Sequence, residues 1–91
     1  MLYTPRPQVN AFAHAMEAKL QRNDWKGGWQ EMEKKELKQR ALEELAELFT
    51  ALEGSDPYAV LYEAADVGNI IMFIADNYGN LQHSEDKASG R

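Results

Sequence analysis

An all-α antiparallel bundle of about three helices, completed by homo-oligomerisation, is the fold this sequence predicts, and three observations carry the prediction. Three stretches space their apolar residues for helices, no stretch alternates as a strand does, and the last helical stretch is apolar around most of its circumference. A chain of 91 residues buries only roughly 60% of its unfolded surface on folding, so a second copy is expected to share the core.

Pro5 and Pro7 are expected to hold the first residues extended, after which Val9, Phe12, Met16 and Leu20 recur at helical spacing from about Gln8 to Gln21. A loop is expected from Arg22 to Gln30, because Asn23, Asp24 and the Gly27-Gly28 pair break the pattern. The second helix runs from about Glu31 to near Gly54. Its apolar line is Leu37, Ala41, Leu45, Leu48 and Leu52, with Glu43, Glu44 and Glu47 read on the opposite side. Ser55-Asp56-Pro57 is a start signal, with Asp56 as cap and Pro57 in the first helical position. The third helix therefore spans Pro57 to Tyr78 and stops at Gly79. The domain is read as residues 1–79, and residues 80–91 as a polar tail expected to be disordered.

A formal net charge of −5 with no basic run argues against DNA or RNA as a partner. Cysteine is absent, which leaves neither a disulfide nor a thiolate metal site. The opening MLYTPRPQ lacks a basic segment followed by an apolar one, and uninterrupted apolar runs fall far short of a membrane span. A cytoplasmic protein with no membrane partner is the expectation.

The chemistry sits in the acids. Glu44 with Glu47, and Glu63 with Asp66, are each three residues apart and form two-pronged oxygen ligands on a helix. Antiparallel packing about the turn GSDP brings the two pairs level, so that four carboxylates converge. Glu63 and Asp66 lie among Leu61, Ala64, Ala65, Val67, Ile70 and Phe73, where uncompensated charge costs several kcal/mol. Oxygen ligands of this kind suit Mg²⁺ or Mn²⁺, which also keep waters and take phosphate oxygens. The plainer reading of Glu43, Glu44 and Glu47 is a solvated helix face. A di-iron site is disfavoured because no histidine follows Glu44 or Glu63 by three residues, and His14 and His83 have no partner at ligand spacing.

The order Glu43, Glu44, Glu47, then Glu63 and Asp66, together with FAHAMEAKLQRNDWKGGW, LEELAEL and EAADVGNIIMFIADN, resembles the all-α NTP pyrophosphohydrolases, the MazG-like superfamily. The likeness is closest to compact phage-type members, some of which act on dGTP and dATP, and it covers about Phe12 to Asn77. It implies cleavage of a nucleoside triphosphate to the monophosphate and pyrophosphate in a homodimer or homotetramer. It also implies that Glu44, Glu47, Glu63 and Asp66 hold Mg²⁺ or Mn²⁺ and that Glu43 orients or deprotonates the attacking water. Beside such a site Lys19 and Lys26 could contact phosphates, and Asn23 or Trp29 could meet the base. Trp25 and Trp29 could equally plug the end of the bundle. Asn69 could bind sugar or base, or pair with a buried carbonyl. Two rival readings stand beside the enzyme: a non-catalytic metal- or nucleotide-binding module, and an interaction bundle whose acids pair with Lys or Arg from another subunit.

Overall fold

The computed structural model describes residues 4–23 and 28–82. Among these residues it is all-helical: α1 (Pro7–Asn23), α2 (Lys34–Leu52) and α3 (Pro57–Tyr78). The central element is α3, which packs against both α1 and α2, while the backbones of those two do not come close to each other. Contacts run in opposite residue order along each seam, from Phe12 at Gly68 to Lys19 at Tyr62, and from Lys34 at Tyr78 to the acids near Glu63. Each neighbour is thus antiparallel to α3.

The third helix falls where its signals place it. The Asp56 carboxylate accepts the Tyr58 amide at 2.9 Å, Pro57 follows in the first helical turn, and the Gly79 amide closes the far end on Ala75. The other boundaries differ from expectation. Pro7 opens α1 instead of extending the chain, since the first helical position needs no amide hydrogen, and the helix continues to Asn23. The second helix starts at Lys34, three residues beyond Glu31, because the preceding segment is used elsewhere. The Trp29 carbonyl accepts from the Met32 amide and from Asn77 Nδ2, and the Met32 carbonyl accepts from the Tyr78 hydroxyl. Carbonyls so engaged belong to a turn fastened to α3, with Gly28 entering it at a φ of 68°, a region costly for residues with a Cβ.

The core gathers Leu37, Ile70 and Phe73, with Leu20, Trp29, Met32 and Ala41 packed around them. Across the α1 seam Gly68 is a steric requirement: a Cβ there would come within 2.8 Å of the Phe12 ring. The close approach it permits lets Asn69, 3% exposed, donate from Nδ2 to the Met16 carbonyl at 3.0 Å.

The third helix is long and apolar enough to cross a membrane, contrary to what uninterrupted apolar runs suggested. Counting runs missed this because Glu63, Asp66 and Asn69 interrupt them. Those same polar residues meet partners from α1 and α2, the arrangement of a bundle's central helix. Burial is one-sided, however. Ala65, Asn69, Ile70 and Phe73 are covered, whereas Leu61 and Ile71 are about half exposed. An apolar groove lined by Phe12, Met16, Leu48, Val67, Ile71 and Met72 opens along that uncovered side.

Candidate metal centre

Acids from two helices and a lysine from the third meet in the N-terminal half of α3. Carboxylate oxygens of Glu44, Glu63 and Asp66, one from each, lie within 4.8 Å of one another. Glu44 reaches this point because it follows Ala41 by three residues and precedes Leu48 by four, which puts it on the packed face of α2 and not on the opposite one. Glu47, one turn on, is more exposed and hydrogen-bonds with Glu63. On α3, Asp66 continues the stripe that carries Asn69 and Phe73, so packing that buries Phe73 also turns Asp66 inward.

Electrostatics in the cluster are frustrated. The Glu44 carboxyl is pushed above its ordinary value of 4.5, first by burial and then by Asp66, Glu47 and Glu63, with Arg40 one turn before it pulling the other way. Glu63 is raised as well, by burial, by the charges of Glu47 and Asp66 and by the hydrogen bond with Glu47, against the opposing pull of Lys19. Oε1 of Glu44 and Oε1 of Glu63 are out of solvent and receive no hydrogen bond from protein donors. Buried acceptors without donors, in an all-oxygen set on one small volume, suit a hard divalent cation. Three converging carboxylates match that preference better than they match zinc or copper, which favour nitrogen and sulfur.

Lys19 supplies a positive charge from the chain itself. Its Nζ stands 3.1 Å from Asp66 Oδ2 and 3.0 Å from the centre of the Tyr62 ring, and the residue is 6% exposed. The lysine expected to meet phosphates is therefore held by one of the expected metal ligands. Tyr62, four residues before Asp66 on the same face, and Arg40, four before Glu44, were not anticipated as parts of the site. Spacing of one helical turn from an acid was the available signal for both.

The remaining candidates divide. Glu43 is exposed and accepts from Gln39 Nε2 at 2.9 Å; one turn before Glu47, it flanks the cluster without joining it. Trp29 stacks on Phe73 with ring centres 4.5 Å apart and donates from Nε1 to Asp76 at 3.0 Å, so it plugs the bundle end. Asn69 takes the second of its two anticipated roles, bonding to a buried carbonyl. Lys26 and His83, the side chain of Asn23, and most of the tail lie outside the described residues. His14 is exposed on α1, apart from the acids. An open hollow of about 400 Å³, lined by Ala46, Glu47, Thr50, Ala51 and Glu63, adjoins the carboxylates.

Compared with known protein families, curated proteins and solved structures, the chain matches none.

Proposed function

We propose that this protein is a MazG-like nucleoside triphosphate pyrophosphohydrolase that cleaves (d)NTP to (d)NMP and pyrophosphate with Mg²⁺ or Mn²⁺, purine deoxynucleotides (dGTP and dATP) being favoured. The observation that carries this reading is the convergence of Glu44, Glu63 and Asp66 oxygens within 4.8 Å, from two helices, with buried oxygens that lack donors. The order of acids along the chain, Glu43 to Asp66, supports it as well.

In this reading Glu44, Glu47, Glu63 and Asp66 hold the cation. When bound, it supplies the acidity that makes water a nucleophile near neutral pH and offsets negative charge developing on the leaving pyrophosphate. Glu47 borders the hollow beside Glu63, and Glu43, one turn before Glu47, accepts a proton from the attacking water once it turns from Gln39. The water oxygen bonds to the α-phosphorus, the bond from that phosphorus to the bridging oxygen breaks, and pyrophosphate departs with the electron pair. Lys19 and Lys26 compensate phosphate charge in this scheme. The half-exposed groove along α3 takes a second copy of the chain, giving a homodimer or homotetramer in the cytoplasm. Analytical ultracentrifugation is expected to show no stable monomer at micromolar concentration.

The test is a panel of nucleotides incubated with Mg²⁺ and resolved for monophosphate and pyrophosphate. Asp66→Asn is expected to lower turnover by roughly 100-fold or more, since even outer-shell partners of a metal are worth about 10- to 100-fold. Undiminished turnover in that variant defeats the site assignment.

A second reading is favoured by the Lys19–Asp66 ion pair at 3.1 Å. A cluster already partly neutralised from within suits a non-catalytic module that binds metal or nucleotide for stability. It predicts a metal-dependent rise in melting temperature with no product from any nucleotide.

A further inference from the structure

The ammonium of Lys19 is placed unusually for a residue that would only bind substrate. It is almost fully covered, it is 3.1 Å from Asp66, and the Tyr62 ring face closes over it at 3.0 Å. Arg22 approaches the same ring at 6.0 Å, a second cation beside Tyr62. Asp66 is also one of the three acids whose oxygens converge. A full unit of charge from the ammonium thus sits on a carboxylate that a divalent ion in the cluster would need.

We propose that Lys19 is a displaceable internal counter-ion: it pairs with Asp66 and Tyr62 while the acids hold no divalent cation, and it swings off Asp66 when they do. This rests on the metal-binding reading of the cluster. Glu44 and Glu63 keep buried oxygens that receive no hydrogen bond, so the lysine neutralises the cluster only in part and leaves it receptive to a stronger cation. Two consequences follow. Lys19 sets the concentration at which the site loads, and loading frees an ammonium at the edge of the site for an anionic ligand.

The tether is geometric. Gly68 and the Asn69 bond to Met16 hold α1 and α3 at close range, fixing the Lys19 backbone while its four-carbon stem remains able to swing. Tyr62 is about half exposed and bounds the ammonium on the solvent side. A lysine leaving Asp66 therefore moves past the Tyr62 ring, which gives the motion a spectroscopic signature.

The experiment titrates the full chain with MgCl₂, following heat of binding and the ring-current-shifted Lys19 ε-methylene protons by NMR. In the unaltered protein those protons are expected to leave their upfield position as Mg²⁺ saturates. Lys19→Met, which keeps the length of the side chain and removes its charge, is expected to bind Mg²⁺ about tenfold more tightly, a modest share of what one unit charge exerts at this range. Tyr62→Leu, at a half-exposed position, loosens the lysine and shifts affinity in the same direction by a smaller factor. Equal or weaker binding by Lys19→Met, with binding by the unaltered chain intact, overturns the counter-ion role and leaves the metal site standing. Should neither protein bind Mg²⁺ at millimolar concentration, the metal reading itself fails and takes this inference with it.

Discussion

The two ends of α3 solve opposite problems with the same helix. Near its C-terminus the polar groups are satisfied: the Trp29 indole donates to Asp76, Asn77 donates to the Trp29 carbonyl at 2.8 Å, the Tyr78 hydroxyl donates to the Met32 carbonyl, and the Trp29 ring stacks flat on Phe73. About three turns closer to the N-terminus, Glu44, Glu63 and Asp66 crowd like charges and leave buried oxygens without donors. The contrast teaches where to look for chemistry. Polar groups that complete one another hold the fold, whereas groups left incomplete are poised to take a ligand.

The largest effect expected on stability is at the satisfied end. Trp29→Ala removes the Phe73 stack, the indole donor and the filling of the bundle end together, and should cost roughly 3 kcal/mol, as truncation of large aromatics does. In a domain of this size that lowers the melting temperature by about 10 °C or more. Thermal unfolding followed by circular dichroism measures it. If nucleotide turnover per folded molecule below the transition falls along with stability, Trp29 meets substrate and the division between the two ends breaks down.

At the frustrated end the sign reverses. Glu63→Gln removes one of the crowded charges while keeping shape, and should stabilise the metal-free protein by about 1 kcal/mol or less, the residue being partly exposed and its repulsion screened. On the proposed metal-binding reading Mg²⁺ should raise the melting temperature of the unaltered chain, and the same variant should lose most of that rise. A destabilised Glu63→Gln protein would mean that the carboxylate is already satisfied, and the comparison with the Trp29 end would lose its basis.

How these ends were legible in the sequence differs for physical reasons. The Asp56 cap, Pro57 and Gly79 are local signals, and α3 lies between them as read. The delayed start of α2 was not readable, because it depends on Asn77 and Tyr78, which are more than forty residues away in the chain, capturing the Trp29 and Met32 carbonyls. Among the acids, the i to i+3 pairs announced convergence, yet the placement of Glu44 opposite the apolar line missed its spacing from Ala41 and Leu48. Lys19 was legible as a cation near the site but not as the partner of Asp66. That pairing depends on the antiparallel register of α1 on α3, which Gly68 and Asn69 set across the seam.

The smallest effect, and the one that separates the ends without mutation, is that of pH. Glu44 and Glu63 are both raised in the folded chain, so between their ordinary value of 4.5 and their higher folded values the native state holds more protons than the unfolded state. Their contribution to stability is fully present below 4.5 and is lost as pH rises through the folded values. Metal-free protein should therefore melt at a slightly higher temperature as the pH is brought down from neutrality through that window, before other carboxylates reverse the gain. If the acids hold Mg²⁺ as proposed, saturating Mg²⁺ should invert the slope, because a cation bound to ionised acids makes protons its competitors. Glu63→Gln should flatten the metal-free slope, whereas Trp29→Ala should lower the curve without changing its tilt. A tilt that follows Trp29 instead of Glu63 would assign the pH response to the Asp76 end, and the unmet oxygens between α2 and α3 would no longer account for it.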